Sequence, residues 1–225
     1  MKAIYHDDHL IKSDKPVVII SHIGEARLGK SSYINTMVSQ LIGSNQQVFK
    51  VSNQADHCTS GIDHVFIPLD DQKFDMLILD VEGINHHDSS YDNKKLLIPY
   101  ILSDIMVVHD SMLNNSTLKS IESISAFGNF IDSNGFKYLP NIYFRVKDFS
   151  LECEAQELLE KTLTLQNDQY DSIRRSLHSL FDKIGITLTY NLDRKEVKNM
   201  KEYHYLDILS EKENGFQDSI QYLLD

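Results

Sequence analysis

Lys30 and Ser31 follow two glycines at a spacing that suits a polyphosphate. The segment Gly24-Glu25-Ala26-Arg27-Leu28-Gly29-Lys30-Ser31 fits G-x-x-x-x-G-K-[ST], with the apolar run Val17–Ile23 before it and a helical pattern after it. Gly24 and Gly29 let the backbone wrap closely, so that successive N–H groups face a phosphate chain. Lys30 brings a point charge to the outer phosphates, and the Ser31 hydroxyl is a ligand for Mg²⁺. The helix starting near Lys30 adds the positive end of its dipole. The expected phosphate-binding set is therefore Gly24, Glu25, Ala26, Arg27, Leu28, Gly29, Lys30, Ser31 and Ser32.

Other candidates follow in order along the chain. Asp80-Val81-Glu82-Gly83 closes a buried strand: its acid suits the Mg²⁺ water shell, and its glycine brings a backbone N–H toward the terminal phosphate. Between the loop and that acid, Thr59 lies in a polar stretch, where GTPases place a second Mg²⁺ hydroxyl. The expected metal set is Ser31, Thr59 and Asp80. Arg27, inside the phosphate loop, is placed to stabilise charge in phosphoryl transfer as a finger supplied in cis; the competing reading is a solvent-facing arginine. Farther on, Lys147-Asp148 stands at a strand end, where an Asp reads the N1–H and exocyclic amine of guanine and a Lys stem flanks the ring. Asp148 is equally a helix N-terminal acid, and Ser150 with Glu152 a capping region.

These residues need an alternating frame. Hydrophobic patterning predicts strands at about Val17–Ile23, Val48–Val51, Ile62–Ile67, Phe74–Leu79, Ile105–His109, Asn141–Val146 and Ile186–Tyr190. It predicts helices at about Lys30–Ile42, Lys94–Ser103 (with Pro99 inside), Leu118–Ile131, Leu151–Leu165, Gln169–Ile184 and Phe216–Leu224. Residues 1–15 read as a loose or edge segment, and Asp193–Lys212 as a charged stretch. The expected architecture is α/β: a three-layer P-loop NTPase fold, one G domain over residues 1–225, with a mostly parallel central sheet flanked by helices and its ligand over the C-terminal edge.

Composition narrows the partners. A chain of 225 residues with 41% hydrophobic and 24% charged residues can bury a full core. A formal net charge of −11 argues against nucleic acid, since no basic face is present. No apolar run reaches a membrane span, so direct membrane insertion is not expected, and the polar first fifteen residues do not form a signal peptide. Two cysteines, Cys58 and Cys153, fit a reducing compartment, and a cytoplasmic location is expected. His86 and His87 read as solvated polar residues rather than a metal site, and Cys58 as an ordinary thiol.

At the motif residues the sequence resembles the guanylate-binding protein and atlastin branch of the dynamin superfamily. That family's G-x-x-R-x-G-K-S is matched by Gly24–Ser31, its H-T-K-G-I by Cys58-Thr59-Ser60-Gly61-Ile62, and its L-D-T-E-G by Leu79-Asp80-Val81-Glu82-Gly83. Its R-D followed by F-S-L is matched by Lys147-Asp148-Phe149-Ser150-Leu151. Order and spacing hold from about residue 15 to 152, and more weakly through about Leu224. The resemblance implies a GTP-hydrolysing domain that forms a homodimer through its nucleotide face when GTP is bound. It implies Arg27 as the cis arginine finger, Glu82 in the network around the attacking water, and Lys30, Ser31 and Thr59 on phosphate and Mg²⁺. Asp148 selects guanine in this picture, with GTP as substrate and GDP as product.

The chain departs from the family pattern at three points. Lys147 replaces an arginine and loses its planar stacking surface; His57 stands where a subset of the family has a serine; Ser60 replaces the switch lysine. The rival readings are a guanine-nucleotide-dependent interaction module with weak turnover, an ATPase or nucleoside kinase using the same loop, and the G domain of a longer membrane-remodelling protein.

Overall fold

A computed structural model describes residues 13–26, 28–51, 61–70, 72–83, 89–122, 124, 139–147 and 154–189, with the backbone alone for 89–95, 116 and 120. Six strands form one sheet in the order β2-β3-β1-β4-β5-β6. These are β1 Val17–Gly24, β2 Ile62–Ile67, β3 Asp75–Val81, β4 Ile105–Asp110, β5 Asn141–Lys147 and β6 Ile184–Thr189. Every pairing is parallel except β2 with β3, which is antiparallel. The described helices are α1 Lys30–Ile42, α2 Ser89–Leu102, α3 Asn115–Ser120, α4 Ala155–Leu163 and α5 Asp171–Leu180. This is the mostly parallel, helix-flanked sheet expected of a P-loop NTPase fold. Among the described residues no helix is long and apolar enough to cross a membrane.

The strand order turns back at β1, between β3 and β4. In open α/β sheets such a reversal leaves a crevice at the carboxyl ends of the strands. Two apolar clusters cover the sheet's faces. On one, Ile34, Met37 and Val38 of α1 are fully buried against Ile20, Ile78 and Val107. On the other, Leu96 and Tyr100 of α2, Leu159 of α4 and Ile173 and Leu177 of α5 pack with Val108, Phe144 and Ile186. Arg174 of α5, also buried, fastens that layer: it donates to Asp168, Asp171, the Thr162 carbonyl and Asn115 at 2.6–2.8 Å.

Several expectations meet the chain differently. Val48–Val51 forms no strand, although Val48 and Phe49 are buried. Their backbone groups are satisfied by one side chain instead: Asn35 Oδ1 accepts from Val48 N (3.0 Å) and Phe49 N (2.9 Å), and Asn35 Nδ2 donates to Phe49 O (2.9 Å). The helix expected from Lys94 starts at Ser89, since a polar run does not forbid a helical turn; it ends at Leu102, with Pro99 in its last turn. The helix expected from Leu118 starts at Asn115, after Thr117 Oγ1 accepts from Asn114 N, and its expected continuation past residue 124 lies outside the described residues.

The helix expected over Gln169–Ile184 stops at Leu180. There the sheet captures the chain: Asp182 N donates to Pro140 O, Ile142 N donates to Lys183 O, and Ile184 becomes the first residue of β6. The segments Asp193–Lys212 and Phe216–Leu224 lie outside the described residues, as does 1–12 of the expected loose N-terminus. Ser13 and Lys15 are fastened to Asp75 and to the Leu69 carbonyl.

Candidate nucleotide site

The site begins where β1 runs out. Gly24 has φ +133°, and a Cβ there would lie 2.2 Å from the His109 carbonyl oxygen of β4. Only glycine lets β1 turn away while still against β4. The loop returns to helix at Gly29, a left-handed cap (φ +75°), and α1 starts at Lys30. At its other end Gly43, also left-handed, donates its N–H to Ser39 O, ending α1 where the sequence predicts.

Lys30 is buried and folds back over the loop, its Nζ 3.0 Å from Glu25 O and 3.2 Å from Gly24 O. Burial pulls its pKa down from the usual lysine value, while Asp80, Glu25 and Glu82 oppose that shift. Three carboxylates thus oppose the loss of charge that burial favours at the mouth of the loop.

Ser31 Oγ donates to Asp80 Oδ2 at 2.6 Å, joining the first turn of α1 to β3. Asp80 is fully buried. Gly83, just beyond β3, lies on the loop: a Cβ there would meet Ala26 N, Cα and Cβ at 2.4–2.6 Å. Glu82 secures the same turn to the start of β2, its N–H donating to Gly61 O (2.8 Å) and its Oε2 accepting from Gly61 N (3.0 Å). Across the crevice, Lys147 at the end of β5 brings its Nζ to 3.9 Å from the position of a Cβ on Gly29.

The structure therefore brings Gly24, Glu25, Ala26, Gly29, Lys30, Ser31, Asp80, Glu82, Gly83 and Lys147 to one edge of the sheet. Leu28 and Ser32 are half-buried in the same loop and first helical turn. Arg27, Thr59 and Asp148 lie outside the described residues, as do His57, Cys58, Ser60, His86, His87 and Ser150. A hydroxyl and a carboxylate held side by side, Ser31 with Asp80, are hard oxygen donors of the type Mg²⁺ takes. Lys30 and the concave backbone between Gly24 and Gly83 suit an anionic phosphate chain. The residues present thus fit the nucleotide and the metal that the motifs imply. Among the described residues no group of three or more His, Cys, Asp or Glu side chains could hold a metal.

One constellation escaped the motif reading. Beneath the loop, His22 of β1, His109 of β4 and Arg145 of β5 are fully buried and joined, with Tyr33 of α1 against them. The signal was present as polar residues inside strands that otherwise read as apolar runs.

The chain matches the family model described as guanylate-binding protein, N-terminal domain, over residues 8–224. None of the curated proteins compared with it matches. The match spans nearly the whole length and includes every element around the crevice, and the chain belongs to the guanylate-binding protein N-terminal domain family, the G domain of large GTPases.

Proposed function

We propose that this chain binds GTP with Mg²⁺ at the C-terminal edge of its sheet, hydrolyses it to GDP, and pairs with a second copy through that face. The observation that carries the reading is the Ser31–Asp80 hydrogen bond beside the buried Lys30, with Gly83 packed on the loop. Together they bring an amine, a hydroxyl, an acid and a close backbone turn to one place at the edge of the sheet.

The roles follow from that layout. Loop N–H groups and Lys30 bind and orient the phosphates; Ser31, Thr59 and Asp80 would hold Mg²⁺, which neutralises phosphate charge when bound. Glu82 anchors the turn that carries Gly83. Arg27 serves as the cis finger, stabilising charge on the transferring group. Lys147 and Asp148 receive the guanine ring, Asp148 through the ring's N1–H and exocyclic amine. Two cysteines in 225 residues favour a reducing, cytoplasmic setting.

Multiple-turnover hydrolysis measured across protein concentrations, with and without Arg27→Ala, tests this. Turnover per molecule should rise with concentration and fall by about a hundredfold or more in the variant. Turnover that is absent, or indifferent to Arg27, refutes the hydrolase reading and leaves a nucleotide-dependent binding module. Equal competition by ATP refutes the role of Asp148. A monomer in gel filtration with GDP and aluminium fluoride refutes dimerisation.

A further inference from the structure

Arg145, His109 and His22 stand on three neighbouring strands, on the face that α1 covers, and solvent reaches none of them. Arg145 Nη1 is 3.0 Å from His109 Nδ1, and His109 Nε2 is 2.9 Å from His22 Nδ1. A guanidinium only donates, so His109 Nδ1 accepts and that ring carries its proton on Nε2. This proton is donated to His22 Nδ1, which places the His22 proton on Nε2 in turn. One obligatory donor at the end of the chain thereby fixes both tautomers.

Both rings are neutral. Burial, then the Arg145 charge and that of Lys30, holds His22 down at about 3. Burial, then Arg145, holds His109 well below the usual histidine range, with His22, Lys30 and Lys147 adding to the shift. Helix α1 clamps the chain from above: the Arg145 guanidinium lies 4.2 Å from the centre of the Tyr33 ring, and that ring meets His109 edge-on at 5.3 Å.

The two ends of this chain coincide with the two ends of the site. Arg145 precedes Lys147 by two positions and Asp148 by three; His22 precedes Gly24 by two; the His109 carbonyl is what Gly24 closes upon. An apolar filling would cost less than three buried polar side chains, but it would not fix one arrangement of three strands. We propose that Arg145, His109 and His22 are positioning residues that hold the phosphate loop in register with the guanine-receiving end of β5, so that phosphate affinity depends on an unbroken hydrogen-bond chain beneath the loop. The proposal rests on the GTP-binding reading above.

His109→Gln keeps an acceptor for Arg145 and a donor for His22, whereas His109→Leu fills the space and breaks the chain. The readout is the ratio of guanosine to GDP dissociation constants by calorimetry, beside thermal unfolding of each variant. The ratio should fall about tenfold or more in His109→Leu and stay within about threefold of wild type in His109→Gln. Equal ratios in the two variants would mean packing alone and would overturn the proposal.

His22→Phe guards against a leucine variant that fails to fold. It keeps a ring in place and exchanges the buried His22 Nε2–H, which has no described partner, for an unpaired His109 Nε2–H. Stability should therefore change little while the ratio still falls; an unchanged ratio overturns the proposal. Nitrogen-15 spectra of the wild-type histidines at pH 7 should show His22 and His109 as neutral Nε2–H tautomers, and an Nδ1–H form of either overturns the chain itself. Wild-type protein that binds no guanine nucleotide overturns the GTP reading together with this role. Tight wild-type GDP binding with ratios indifferent to the variants overturns this role alone.

Discussion

Lowering the pH from 7.5 to 5.5 should destabilise this protein through two residues that never meet solvent. His22 and His109 are fully buried and neutral, one held at about 3 and the other well below its usual value of 6.5. In the unfolded chain both take up a proton as pH falls through about 6.5; in the folded chain neither does. The unfolded state then binds more protons, so stability rises with pH and drains away as pH falls below about 6.5. At pH 5.5 the loss is about 3 kcal/mol for the two rings together, relative to pH 7.5. For a domain of this size that lowers Tm by roughly 6–12 °C.

The shifted carboxylates among the described residues do not mimic this change. Asp75, Asp168 and Asp171 have carboxyls held below 3.8, so their contributions are lost only in more acid solution. Relief of the −11 net charge acts in the opposite direction. Urea unfolding at pH 7.5, 6.5 and 5.5 measures the slope, and the double variant His22→Phe/His109→Gln should flatten it. A wild-type curve with no decline over that range, or one whose decline survives in the double variant, would refute the account of two neutral buried rings.

Two smaller perturbations probe the frame around the site. Gly83→Ala puts a methyl into the Ala26 backbone, which must give way; a stability loss of about 1–3 kcal/mol and weaker GDP binding are expected, and unchanged GDP affinity by calorimetry would contradict the packing of this turn on the loop. Asn35→Ala strands the buried N–H groups of Val48 and Phe49 and should cost about 3 kcal/mol in urea unfolding; a loss below about 1 kcal/mol would contradict the role assigned to that amide.

Much of the site was legible because its chemistry is local in the chain. Gly24 through Ser31 are consecutive, and Asp80 with Gly83 sits where an apolar strand ends, so spacing alone predicts a phosphate cradle and its acid. What periodicity could not supply was pairing between distant residues. Val48 and Phe49 look like a strand because they are apolar and β-prone, yet Asn35, thirteen and fourteen residues earlier, takes their hydrogen bonds. Ile184 continues a helical pattern until β5 offers the Lys183 carbonyl a donor in Ile142 N. His22, His109 and Arg145 are single polar positions on three strands, and only the order β1-β4-β5 makes them one unit.

The double hydrogen bond between Glu82 and Gly61 bears on entropy as well as on shape. Gly61 closes the stretch that contains Thr59, and Glu82 opens the stretch that contains His86 and His87, so one end of each is held at the same point before any ligand arrives. Tying the start of β2 to the turn after β3 fixes the backbone of Gly61, Glu82 and Gly83 during folding, so that part of the entropy cost of shaping the site is met before a phosphate binds. Cutting that tie should raise the cost of holding Gly83 against the loop, which makes Glu82 a determinant of how much binding energy remains for the phosphate itself.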